Sequence, residues 1–172
     1  RATRLVGQLL TLSRLEAGSA PASALLDLGA LVRSVVGEAA PQAFQKRQSI
    51  EFDASGPCMV QGDATLLRVL ARNLVDNAIR YSPAEAVVKV AVAGGPDGVE
   101  FTIEDSGPGM TAQDIERVGE RFFRVVGSGQ SGSGLGWSIV RRIAAVHAAA
   151  IRIGRSEGLG GLAVAVRWPA PG

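Results

Sequence analysis

Two runs that alternate apolar and polar residues, AVVKVAVAGG and GVEFTIED, flank a turn of glycine, proline and aspartate, and this pair constrains the chain most. Alternation at a period of two gives each strand one apolar face, so the pair reads as a β-hairpin whose face must be covered. A cover stands just upstream. ATLLRVLARNLVDNAIRYS is apolar at helical spacing, follows Asp63 as a candidate N-cap, and stops at Pro83, which a helix cannot run through cheaply. An amphipathic helix laid on a sheet is the least this chain can build.

The other segments extend that plan. Asp27 offers a second N-cap for a helix from Leu28 to Lys46, with Pro41 a candidate kink or division. QSIEFDA and CMVQGD are short strand candidates. TAQDIERVGERF reads as a short helix, RVVGSGQSGSGLG as a mobile glycine-rich loop, LGWSIVRRIAAVHA as a helix, and AIRIGRSEGLGGLAVAVRWP as a closing hairpin. The expected fold class is α+β: a two-layer α/β sandwich, a mixed sheet with helices on one face. The opening stretch, RATRLVGQLLTLSRLEAG, sets Leu5, Leu9 and Leu12 at helical spacing with Val6 and Leu10 beside them, and needs a partner helix to bury that stripe. The reading divides the chain into a helix at 1–18, a linker at 19–26 and one domain at 27–172.

Composition narrows the function. With 172 residues, 47% of them hydrophobic, the chain can bury one good core. No run approaches the roughly 18 apolar residues of a membrane span, and no basic, apolar and small-residue order marks a signal peptide. The chain begins at Arg1 and is read as a piece of something longer, with any membrane attachment upstream. Cys58 is the only cysteine, which excludes an internal disulfide and a cysteine zinc site and fits a reducing compartment. A net charge of +2, spread along the chain, argues against a nucleic-acid surface.

On the helix from Asp63, Leu66, Leu70, Asn73 and Asn77 share one seam, apolar at first and then amide. Inward amides must be satisfied by a polar ligand, a water cluster, a metal or neighbouring backbone. Arg80 and Tyr81 continue that side with a cation and a hydroxyl, a combination suited to phosphate. Residues Gly127 to Gly132 spell G-x-G-x-x-G, but no acid stands about 20 residues further on and the segment order offers no parallel βαβ repeat, so a dinucleotide fold is rejected. A Walker A loop is excluded too, because the only lysines are Lys46 and Lys89. Gly132, Gly134 and Gly136, with Leu135 between the last two, allow close backbone approach to an anion at a helix N-terminus; a flexible surface linker is the competing reading. In DSGPGM, Asp105 at a strand end can accept a hydrogen bond from an exocyclic amine such as adenine N6, and Gly107 and Gly109 leave room for a flat ring. Together these describe a nucleotide site.

NLVDNAIRYS, DSGPGM, ERFFR and GSGLGWSIV resemble, in order and spacing, the N, G1, F and G2 boxes of sensor histidine kinases. The resemblance covers about residues 25–168, and RLVGQLLTLSRLEAG is similar to the second helix of that family's dimerisation and phosphoacceptor hairpin. It implies the Bergerat ATP-binding fold, with ATP and Mg²⁺ as cofactors. Asp105 would take adenine, and Asn77, assisted by Asn73, would take the metal. Arg80, Tyr81 and Arg124 would approach the phosphates, Arg124 and Asn73 as catalytic groups. Gly132, Gly134, Leu135 and Gly136 would form the lid hinge, and Phe122 and Phe123 its apolar anchor. The implied activity is transfer of the γ-phosphoryl to a protein histidine, for relay to a response regulator receiver domain, in a protein that is a homodimer at full length and a bacterial inner-membrane sensor with this domain in the cytoplasm.

Related gyrase-type, Hsp90-type and MutL-type ATPases carry a water-activating glutamate where this chain has Asn73, and an amide is no general base at neutral pH, so a hydrolase is opposed. The single histidine, His147, does not match the phosphoacceptor position, so this chain alone is expected not to phosphorylate itself; a core or cap role is expected for His147. Trp137 replaces a small aliphatic residue beside the hinge, and Ala148 and Ala149 replace glycines. A nucleotide-free scaffold in which Trp137 closes the pocket is the alternative from another class.

Overall fold

The structure, a computed structural model, describes Gly7, Leu10 and Ser13, residues 23–117 and residues 136–170. Along the chain run β1 (Ala24–Asp27), α1 (Leu28–Gln45), β2 (Ser49–Ser55), β3 (Met59–Gly62), α2 (Ala64–Tyr81), β4 (Val87–Gly95), β5 (Gly98–Asp105), α3 (Ala112–Arg117), α4 (Gly136–Val146), β6 (Ala150–Arg155) and β7 (Leu162–Pro169). Five strands form one sheet in the order β2-β4-β5-β7-β6, and β1 pairs with β3 in a separate ribbon.

The alternation that marks the β4–β5 hairpin becomes its two faces. Val90 lies opposite Ile103 and Val92 opposite Phe101, and the row continues with Val166 opposite Phe101 and Trp168 opposite Val99, all buried. Lys89, Arg152 and Arg167 are exposed on the other face. Leu67, Leu70 and Leu74 of α2, Val32 and Val35 of α1, and Ile139 and Ile143 of α4 close over the apolar row in a single core cluster. Each large side chain enclosed in this way contributes about 1.5–3 kcal/mol relative to exposure. The two-layer α+β reading is what the chain builds.

Both N-caps are made. Asp27 Oδ1 accepts from Ala30 N–H at 3.2 Å, and Asp63 Oδ1 accepts from Thr65 and Leu66 N–H at 3.0 and 3.2 Å. Helix α2 ends at Tyr81, before Pro83. An ionic ladder ties α1 to α2: Glu38 pairs with Arg68 and with Arg72, and Arg72 Nε reaches the buried Asp76 carboxylate at 3.0 Å.

Three readings change. Helix α1 runs unbroken through Pro41, which sits on the exposed side opposite the buried stripe of Val35, Val36, Ala39 and Ala43. The linker reading of residues 19–26 misses β1, whose register pairs Ala24 with Gly62 and Asp27 with Met59; four residues at an edge leave too short a pattern to recognise. Strand β2 pairs in parallel with β4, with α2 in the crossover between them, so a parallel pair does exist, though far in sequence from the glycine-rich loop. The helical stripe expected at 1–18 falls outside the described residues apart from Leu10, which is exposed.

His147 has the structural role expected of it. Its Nδ1 donates to Ile143 O at 2.8 Å and its Nε2 accepts from Asp63 N–H at 3.0 Å, which specifies the neutral Nδ1–H tautomer and ties the end of α4 to the start of α2. The next residue carries strain. Ala148 has φ of +55° where Ala149 N–H turns back to Ala144 O, a left-handed position that favours glycine. Ala148→Gly is expected to raise unfolding stability by about 1 kcal/mol, read from the denaturant midpoint; an unchanged or lowered midpoint would contradict this account of the turn.

Candidate functional site

The carboxylate at the end of β5 is buried and held by the backbone around it. Asp105 is 7% exposed, and its Oδ1 accepts from Gly107 N–H at 2.9 Å and from Leu162 N–H at 3.2 Å. Gly161 N–H donates to the main-chain oxygen of the same residue at 3.0 Å. Three backbone donors from two loops therefore hold Asp105. Burial pushes its carboxyl above the ordinary 3.8, and the Gly107 and Leu162 N–H groups pull the other way.

Asp105 borders a cavity of about 410 Å³, within the range that holds small organic ligands. Leu74, Ala78, Ile103 and Val164 give it apolar walls, Asn77 and Tyr81 bring amide and hydroxyl from α2, and Pro108 to Thr111 with Asp114 form one side. A flat apolar slot with a fixed acceptor inside it suits a heteroaromatic ring that carries an amine. Residues of α2 and of strands β5 and β7 line it together, with α2 packed on β4 and β5, so the two-layer packing itself makes the slot.

Of the residues singled out from sequence, Asn77, Tyr81, Asp105 and Gly109 meet at this cavity. Gly107 is not on its wall. The Gly107 N–H locks Asp105, and its missing Cβ would lie 3.2 Å from Ser82 Oγ, so it packs behind the carboxylate and makes no room for the ring. Asn73 is also set back: its Nδ2 donates to Val69 O at 2.9 Å, the backbone solution for a buried amide, while Oδ1 lies 3.1 Å from where a Cβ of Gly136 would stand. Gly136 thus begins α4 against both amides, with Asn77 Nδ2 3.7 Å from the same point. Arg80 does not line the cavity. Arg124, Phe122, Phe123, Gly132, Gly134 and Leu135 lie outside the described residues.

Trp137 packs against the core and forms part of the cavity wall, so among the described residues the indole leaves the cavity unfilled. Sequence reasoning missed Gly161. It is buried, and a Cβ there would overlap the main-chain oxygen and Oδ1 of Asp105 and come within 2.7 Å of Gly107 N. Its only sequence signal was the doubled glycine of GLGGLAV, indistinguishable from a hairpin turn.

Residues 62–172 match the family model for the histidine kinase-, DNA gyrase B-, and HSP90-like ATPases. The chain belongs to this family. Within it, the chain is an ATP-binding catalytic domain of the sensor histidine kinase kind. It is 41% identical over 170 residues to the sensor protein QseC of Salmonella typhi, covering 98% of this chain and 37% of that protein. It therefore spans well under half the length of that curated relative. Among solved structures, it is similar to the cytoplasmic segment of histidine kinase QseC (33% identity, TM-score 0.67, 98% of this chain and 92% of that one). It is also similar to full-length ShkA in complex with AMPPNP (27% identity, TM-score 0.81, 98% of this chain and 36% of that one). Among the described residues of this domain no helix is long and apolar enough to cross a membrane.

Proposed function

We propose that this domain binds ATP with its adenine on Asp105 and delivers the γ-phosphoryl to a histidine on a helical hairpin, from which it passes to a response regulator receiver domain. The observation that carries the reading is the buried Asp105 carboxylate, held by backbone N–H groups inside an apolar slot. The ShkA structure, a likeness across nearly the whole chain, holds an adenine nucleotide analogue.

The residues present fit magnesium as a nucleotide-borne ion. Among the described residues no group of three acidic, histidine or cysteine side chains could hold a metal by itself. Mg²⁺ commonly takes one or two protein oxygens plus phosphates and water, and Asn77, on the cavity wall, can supply one such oxygen. The ion's contribution is charge neutralisation at the phosphates. Asn73 has its Nδ2 committed to Val69 O and offers no base for water, which favours transfer over hydrolysis. His147 has both ring nitrogens engaged, so the acceptor we propose is another histidine. By the same reading, the intact protein is a homodimer, and this domain sits on the cytoplasmic side of a membrane sensor.

The test is to incubate the domain with ATP, Mg²⁺ and a separately supplied histidine-bearing hairpin. Acid-labile phosphate on the hairpin is expected, falling at least about tenfold in Asn77→Ala, since loss of even a group that only supports a metal ligand costs about 10–100-fold. Steady phosphate release with an unlabelled hairpin would instead favour the hydrolase reading.

A further inference from the structure

The last turn of α2, which carries Tyr81 into the cavity one turn beyond Asn77, is held from behind. A helix leaves its final carbonyls without intrahelical partners, and here two side chains from the segment after α1 take them. Lys46 Nζ donates to Ile79 O at 2.9 Å, Arg80 O at 3.2 Å and Ser82 O at 2.7 Å. Gln48 Nε2 lies 3.0 Å from Ile79 O, 3.0 Å from Ser82 O and 3.1 Å from Pro83 O. Three carbonyl oxygens around one amide atom identify it as the nitrogen, which leaves Gln48 Oε1 buried without a hydrogen-bond partner among the described residues. The main chain adds a further latch, Glu85 N–H to Lys46 O at 3.0 Å.

We propose that Lys46 and Gln48 are positioning residues of the nucleotide site, which set the C-terminal turn of α2, and so Asn77 and Tyr81, against the phosphate end of the ligand. The inference rests on the nucleotide reading of the cavity. Two features favour positioning over general support. The ammonium stands where a helix dipole welcomes a cation, and its three protons meet three carbonyls in one geometry, a fixed tripod rather than a loose surface contact. The buried Gln48 amide keeps an orphan oxygen, a cost that an apolar side chain of the same size would avoid. Asp105 takes its hydrogen bonds from other donors, Gly107, Gly161 and Leu162, so although Gly107 packs on Ser82 the adenine acceptor and the end of α2 do not share a hydrogen-bond donor.

That separation gives the test. Unmodified protein, Lys46→Met, Lys46→Arg and Gln48→Met are each titrated with a non-hydrolysable ATP analogue and with adenosine, after thermal unfolding confirms that each is folded. Lys46→Met is expected to weaken the analogue about tenfold, the lower end for loss of a supporting partner, and adenosine by no more than about twofold; Lys46→Arg is expected to restore most of the loss. If Lys46→Met does not fold, Gln48→Met, which keeps the lysine tripod, carries the same expectation. A lowered unfolding temperature with both affinities unchanged, or equal loss for both ligands, overturns the proposal. Failure of the unmodified protein to bind either ligand would sink the nucleotide reading beneath it.

Discussion

Gly161→Ala is expected to cost the domain about 2–3 kcal/mol of stability and to remove nucleotide binding. The added methyl would occupy the space of Asp105 Oδ1 and of the main-chain oxygen beside it, and would lie 2.7 Å from Gly107 N. Those neighbours are backbone or a carboxylate tied to backbone, so none can swing aside as the tip of a flexible side chain could. Overpacking of this kind costs about 1–3 kcal/mol, and the upper part applies where backbone must move. Relief requires the β6–β7 turn to withdraw from β5, which breaks the bonds from Gly161 N–H and Leu162 N–H to Asp105 and frees the carboxylate to rotate. A denaturant midpoint and a nucleotide titration on the same sample check both halves. Alanine tolerated with full affinity would show that the turn does not hold Asp105.

Asp105→Asn is expected to leave the fold intact and weaken adenine nucleotides about a hundredfold. The present Oδ1 takes two backbone N–H groups while the carboxylate remains an acceptor toward the cavity. An amide can satisfy only one side: with its oxygen on Gly107 and Leu162, its NH₂ faces the adenine amine, and in the flipped orientation it faces the backbone donors. A site that opposes a donor with a donor loses a hydrogen bond and strands a buried polar group, together a few kcal/mol. The same residue sets a pH dependence. Because burial raises its folded value above 3.8, the folded domain takes up this proton at a higher pH than the unfolded chain does. Acidification through that window relieves the buried charge and favours the empty fold, while it removes the acceptor. ATP affinity should therefore fall on acidification before an ordinary aspartate would titrate, and Asp105→Asn should abolish that limb. Parallel curves for the two proteins would remove Asp105 from adenine recognition.

What could be read from the sequence was mostly local. Asp63 and Pro83 bracket α2 because caps and breakers act within one turn, and the β4–β5 hairpin shows itself by alternation and its turn. Asn77 and Asp105 stood out as polar groups at positions the pattern directs inward. The contacts that complete the site are long-range and leave no periodic signal. Gly161 meets Asp105 from a different hairpin, and Lys46 and Gln48 reach carbonyls more than thirty positions away. Gly107 was read for room beside a ring, whereas the structure sets its N–H on Asp105 and its bare Cα against Ser82. Trp137 looked like an obstruction because its size was legible and its packing against the core was not.

The most direct test of the central claim is a calorimetric titration of this domain with non-hydrolysable ATP and GTP analogues, each with and without Mg²⁺. The account predicts saturable binding of the ATP analogue, strengthened by Mg²⁺, and little or none of the GTP analogue, whose ring carbonyl would face the Asp105 carboxylate. A folded sample that binds neither, or both equally, would contradict it.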